Sequence, residues 1–407
     1  MPFILCLVVS FGVFFAGQKM FRRLQPNPFL DSLRLGKSHY LLLGVVVGIF
    51  FPETEPIFRP FEALRYNFLG AILLWFGLQT GLSTDFQILR TVGFPALTSQ
   101  AVIIIPTAIF TILAVLASGS ILYRHLGLVE NLPLAILLLT AFAITVRIPE
   151  PIVRWPNRAM PAHAQIQNHP IGNITALVLF TIAFPFVAQD PIFYFLDLPI
   201  IGTMGYTLFM IGLSIVGGIA LDFTFRSQIS GVKALSLAFG VAITLFGLCQ
   251  TPGLPALSVG FLAGVWLVNT TVAKREVIES AARANDIIEP IFYVLLGTII
   301  GGFGGAPFFH FAPLFPLAII LILVRGMGRT IGLTISQATW QMPETWRELL
   351  ALSWHPQGTI GVAVGVQALY LLQFEHHTLI AGLALAVLLG QVILIPSPTP
   401  PTSPNRD

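Results

Sequence analysis

The chain has 407 residues, but 55% of them are hydrophobic and only 10% are charged, against about 25% charged in ordinary globular domains. That composition, with a mean hydropathy of +0.85, excludes a water-soluble fold. The net charge of +3 carries no nucleic-acid signal, because the basic residues are scattered through short loops between apolar runs.

Apolar runs bounded by polar, proline or charged punctuation predict membrane spans at 3–17, 39–52, 67–83, 93–117, 133–153, 171–189, 198–221, 232–249, 253–270, 288–304, 312–336, 349–371 and 377–395. A charge-free stretch such as Ala101 to Gly119 is long enough, at about 1.5 Å per residue, to cross a hydrocarbon core of about 30 Å. The expected architecture is an all-α polytopic membrane protein of about thirteen helices, filling residues 1–395. The 36 glycines and 30 prolines do not oppose this, since neighbouring helices satisfy backbone groups that such residues free. Between spans eight and nine the only separator is Gln250-Thr-Pro-Gly-Leu-Pro255, a turn signal without charge.

Fifteen of the 21 Lys and Arg residues lie at the odd-numbered loops, against Arg59, Arg65 and Arg124 at the even ones. The positive-inside rule then places the N-terminus outside and the C-terminus in the cytoplasm, as in a multi-pass protein of a prokaryotic inner membrane. Residues 271–287 put Val272, Val277, Ile278 and Ala281 near one helical face, as expected of a helix along the cytoplasmic interface. Residues 396–407 hold Pro, Ser and Thr without hydrophobic period and read as a disordered cytoplasmic tail. Cys6 and Cys249 sit in apolar stretches without metal-ligand spacing and read as packing residues.

Inverted-repeat transporters interrupt one helix in each repeat near the midplane. Span five breaks at Arg147-Ile-Pro149-Glu150-Pro151, and span twelve at Trp354-His355-Pro356-Gln357-Gly358. They are seven spans apart, an odd offset, so the two run in opposite senses. Spans three and ten share that offset and the Gly-rich endings Phe76 to Leu82 and Leu296 to Gly302. Spans five and twelve are therefore expected to be two broken helices, one in each inverted repeat.

A charge inside the bilayer costs about 2.5–3.5 kcal/mol and is a functional candidate by default. Arg325 lies midway along span eleven, with Arg329 one turn on. Glu150 lies between two prolines, where the helical ladder cannot close and carbonyls face an ion or water; Arg147 is three residues earlier, within reach of it. His355 adjoins the second break, while His376 and His377 fall in a short loop with Glu375. No phosphate-binding loop, zinc-protease helix, paired cysteines or nucleophile elbow appears, so neither an enzyme nor a cofactor is indicated.

At these residues the chain resembles the monovalent cation:proton antiporters, the sodium/hydrogen exchanger superfamily, in its thirteen-helix form. The matching stretches are Leu69 to Leu78, Thr145 to Val153, Gly172 to Leu177, Gly260 to Asn269, Pro290 to Tyr293 and Ser353 to Gly358. The resemblance implies a homodimer with crossed broken helices that exchanges Na+ or K+ for H+. It matches Glu150 to the acid of the fifth helix and Arg325 to the basic residue of the eleventh. The ion-binding aspartate of the sixth helix, however, falls at Asn173, which cannot titrate. Three outcomes follow: Glu150 takes over, with Asn173, Thr145 and carbonyls completing an oxygen shell; Arg325, Arg147 and positive helix ends bind a small anion; or the bundle is a transport-inactive scaffold.

Overall fold

The computed structural model describes residues 39–50, 59–91, 94–117, 132–145, 171–187, 199–226, 232–250, 252–302, 314–340 and 358–371. All regular structure among them is helical: α1 His39–Phe50, α2 Arg59–Leu82, α3 Phe86–Thr91, α4 Phe94–Ala117, α5 Leu132–Ile144, α6 Ile171–Val187, α7 Pro199–Arg226, α8 Val232–Gln250, α9 Ala256–Thr270, α10 Lys274–Gly302, α11 Leu314–Trp340 and α12 Thr359–Leu371. Each of spans two to twelve overlaps one of these helices, the short α3 being additional; residues 146–153 of span five and 349–357 of span twelve, with spans one and thirteen and the tail, lie outside the described residues. Large apolar side chains point outward, among them Phe186 at 77% and Phe223 at 70% exposure. Water would penalise such a surface and lipid accepts it, so the chain is an integral membrane protein.

The uncharged separator between spans eight and nine is a true helix end. Gly253 adopts φ +64°, the amide of Leu254 donates to the Cys249 carbonyl at 2.9 Å, and that of Gly253 to the Gln250 carbonyl at 3.2 Å. This is the glycine-terminated closure that a left-handed residue permits. On the far side Pro255 offers α9 no side-chain cap. Instead the buried Gln367 of α12 accepts the Leu257 amide at 2.9 Å, a cap supplied by another helix.

The expected interfacial helix over 271–287 is not separate. It is the first half of α10, a continuous 29-residue helix. Val277, Ala281, Ala284 and Ile288 are all buried, so one apolar stripe of helical period crosses the boundary that the charges had marked, and α10 packs along α2 as well as α1. Val272 lies outside this stripe and is exposed. Pro290 sits within the helix, where it removes one ladder donor without ending it.

In a membrane, helices hold one another by close packing, and small residues set the approach. Helices α2 and α9 make the most intimate pair, followed by α1 with α10 and α4 with α11. A Cβ on Gly77 would lie 2.0 Å from the Leu257 carbonyl oxygen, and one on Gly260 1.9 Å from that of Leu74. In the second pair, Gly44 would meet the Val294 carbonyl at 2.2 Å and Gly297 that of Leu41 at 2.2 Å. Each of the four helices carries Gly-x-x-x-Gly, at 44–48, 77–81, 260–264 and 297–301. Exchanging spans two with nine and three with ten turns the first pair into the second. The same exchange maps α4 with α11, and α5 with α12, onto themselves. This is the pairing that an inverted repeat with a seven-span offset requires.

A polar corner ties the end of α2 to the link between α9 and α10. Asn269 donates to the Thr84 and Val265 carbonyls at 3.0 and 2.7 Å and accepts the Phe86 amide at 3.0 Å. Beside it Asp85 caps α3 through the Gln87 amide at 2.9 Å and pairs with Lys274 at 3.0 Å. Asn269→Ala breaks three backbone contacts and is expected to cost about 2–3 kcal/mol. Asp85→Asn keeps a capping oxygen and loses only a partly exposed ion pair, about 1 kcal/mol or less. Thermal unfolding of the detergent-purified chain checks the order; Asp85→Asn melting below Asn269→Ala would contradict it.

Candidate functional site

Helix α5 ends at Ile144 inside the protein. The next residue, Thr145, is wholly buried and turns its amide and its hydroxyl onto the same acceptor, the Phe142 carbonyl, at 3.2 and 2.7 Å. Its own carbonyl, freed at the helix end, accepts Nη2 of Arg325 at 3.2 Å. Arg325 is 5% exposed and comes from the middle of α11. A guanidinium at the carboxyl end of a helix meets the negative pole of the aligned peptide dipoles, so charge and hydrogen bond act in the same sense.

Helix α12 starts where α5 stops. Gly358 leads into it and accepts the Gly361 amide at 3.1 Å, while Gly361 lies against Thr145: a Cβ there would stand 2.4 Å from the Thr145 hydroxyl. The opening residue of α12, Thr359, donates its hydroxyl to the Glu289 carboxylate of α10, and the Tyr293 hydroxyl lies 3.3 Å from the same Thr359 oxygen. An acid therefore faces the positive amino end of α12, as a base faces the negative end of α5. Two helix ends of opposite polarity meet in the bundle, the carboxyl end of α5 beside Arg325 and the amino end of α12 beside Glu289.

Of the residues singled out from the sequence, Thr145, Arg325 and Gly358 come together here. Asn173 is buried in the first turn of α6, which packs on α5 and α12. Arg329 is half-buried, its Nε without a hydrogen-bond partner among the described residues. Glu150, Arg147, Pro149, Pro151, Pro356 and His355 lie outside the described residues. Sequence reasoning missed Glu289, Thr359 and Gln367. For Glu289 the signal was present, since Glu289-Pro290 repeats the Glu150-Pro151 pattern. Its position between a charged segment and an apolar span disguised it as a boundary residue.

No protein-family profile matches the chain, and no curated protein matches it. Among solved structures it is similar to the sodium proton antiporter MjNhaP1 from Methanocaldococcus jannaschii, with a TM-score of 0.55 and 17% identity, over 97% of this chain and 96% of that one. Nearly the whole chain therefore has the fold of that sodium proton antiporter.

Proposed function

We propose that the protein is a secondary active transporter exchanging a monovalent cation, Na+ or K+, for protons. The observation that carries this reading is the meeting of the α5 and α12 ends beside Arg325 and Glu289, within the fold of a known sodium proton antiporter. In this reading α5 and α12 belong to spans five and twelve, the two spans whose sequences carry the Pro/Gly interruptions. Their ends and hydroxyls give oxygen ligands at the level where inverted-repeat transporters bind their solutes. Exchange through one alternating site requires an acid that holds either a proton or the ion. With asparagine at position 173, Glu150 takes that part, and Thr145 and Asn173 supply neutral oxygens.

A second reading, transport of a small anion, is favoured by the Arg329 Nε that finds no hydrogen-bond partner among the described residues. It also requires Arg325 to leave the Thr145 carbonyl for the solute.

Full-length protein in liposomes carrying an internal pH dye, pulsed with Na+, K+ or bicarbonate gradients, separates the readings. A cation-driven pH change that falls about tenfold or more in Glu150→Gln is the expected result, as for loss of a proton-transfer group. Flux driven by bicarbonate alone would establish the anion reading. Silence under every gradient would leave a transport-inactive scaffold.

A further inference from the structure

We propose that Gln367 is a rate-setting tie: its side chain joins α12, the helix that brings one end to the site, to α9 in a neighbouring body, and the tie is released each time the site changes side. This rests on the exchange reading above and names a contact that paces it.

Helix packing divides the described residues into two bodies. In one, α4 packs on α11 and α5, and α5 on α6 and α12; in the other, α2 packs on α9, α8 and α10, α1 on α10, and α7 on α9 and α8. Thr145, Arg325 and Asn173 belong to the first. Packing between the bodies is sparser, and is carried by α6 and α12 against α2, α7 and α9. Exchange through one alternating site calls for one such body to move against the other as a unit.

Gln367 crosses this boundary. It stands on α12 two turns beyond Thr359, is 2% exposed, and accepts the Leu257 amide at 2.9 Å. Leu257 is the second residue of α9, so its amide is one of the donors that a helix start leaves without an intrahelical acceptor. The ordinary acceptor is the side chain of the residue just before the helix. Here that residue is Pro255, which supplies no such bond, and the start of α9 is closed from the other body instead. A cap built into α9 would hold in every arrangement of the two bodies. The one from Gln367 holds only while α12 keeps its present height against α9, because a slide of about 3 Å takes the pair beyond hydrogen-bonding distance. The bond joins two neutral groups, whose net contribution is small enough to be broken in every cycle. Its place two turns from Thr359 also lets it be removed without touching the α5–α12 meeting point.

The test uses the full chain in liposomes with an internal pH dye, driven by NaCl or KCl gradients balanced by choline chloride, with thermal melts of the same proteins in detergent. Gln367→Met keeps the length of the side chain and removes the acceptor. Pro255→Asp offers the Leu257 amide an acceptor next to its own helix, so the double variant has a capped α9 and no tie. Gln367→Met is expected to melt below the parent and yet exchange faster, its maximal rate raised about three- to tenfold, the equivalent of one neutral hydrogen bond. The double variant regains the parent's melting temperature and keeps the raised rate. A merely structural cap behaves otherwise: its loss lowers the melting temperature without raising the rate. A Gln367→Met rate at or below the parent's, or a double variant whose rate returns to the parent's, therefore overturns the proposal. Should Gln367→Met fail to fold, Pro255→Asp alone carries the test, since it draws the Leu257 amide from Gln367 without altering α12. A raised rate in it supports the tie, and an unchanged or lower one overturns it. A parent silent under every cation gradient sinks the exchange reading and the tie together, whereas an active parent with unaltered variants sinks the tie alone.

Discussion

Gly260→Leu is expected to abolish the folded bundle. A Cβ at this position would stand 1.9 Å from the Leu74 carbonyl oxygen and 3.0 Å from the Leu78 amide nitrogen, so the obstacle is backbone and no rotamer relieves it. Overpacking costs about 1–3 kcal/mol where side chains can shift; here α2 and α9 must separate, and the cost lies at or beyond the top of that range. The separation also reaches the site. Helix α2 is buried along its second half and touches α8, α9, α10 and α12, so moving it disturbs both sides of the α12 start. Gly240→Ala on α8, where a Cβ meets nothing within 4 Å, is the matched control and is expected to be neutral. Thermal unfolding and size-exclusion profiles in detergent read the contrast. A Gly260→Leu protein that elutes and melts like the control would show that the two backbones are not in contact.

Arg325→Ala is expected to keep the fold and lose most of the transport. Removing the guanidinium leaves the buried Thr145 carbonyl without this donor and the carboxyl end of α5 without its counter-charge. Hydrogen bonds to charged groups contribute about 1.5–3 kcal/mol, which in rate is roughly ten- to a hundredfold. Arg325→Lys retains a positive charge but not the planar fork of donors, so its flux falls between the two. The liposome pH-dye assay gives the rates, and melting temperatures show whether the fold survives. Equal flux in the parent and Arg325→Ala would remove Arg325 from the machinery and leave it as a structural cap on α5. A switch to bicarbonate-driven flux is not expected, because losing a cation from the site disfavours anions further.

Much of the architecture is legible in the sequence because lipid imposes a length on every apolar run. The runs at 93–117, 171–189 and 232–249 fall within two residues of α4, α6 and α8 at each end. Charge was a poorer guide to boundaries. Glu62 and Arg65 precede the run at 67–83, yet α2 begins at Arg59; Lys274 to Asp286 precede the run at 288–304, yet α10 begins at Lys274. A helix that leaves the bilayer has no need to stop, since its ladder is closed internally and an amphipathic stripe can pack on a neighbour. The seven-span offset was visible in the Gly-rich ends, because glycine spacing is a local property. Which glycine stripe meets which is a matter of pairing, and no local pattern states it.

The same division holds at the site. Composition and run length by themselves determined a many-helix membrane bundle with an arginine midway along one of its spans. They could do so because burying backbone and charge in hydrocarbon constrains each segment separately. Only the tertiary structure decided that Arg325 is spent on the Thr145 carbonyl, that Glu289 faces the start of α12, and that Gln367 caps α9. Those contacts join residues 70 to 180 positions apart, and hydrogen bonding at that range depends on which helices pack together, a property of the assembled bundle that no single segment encodes.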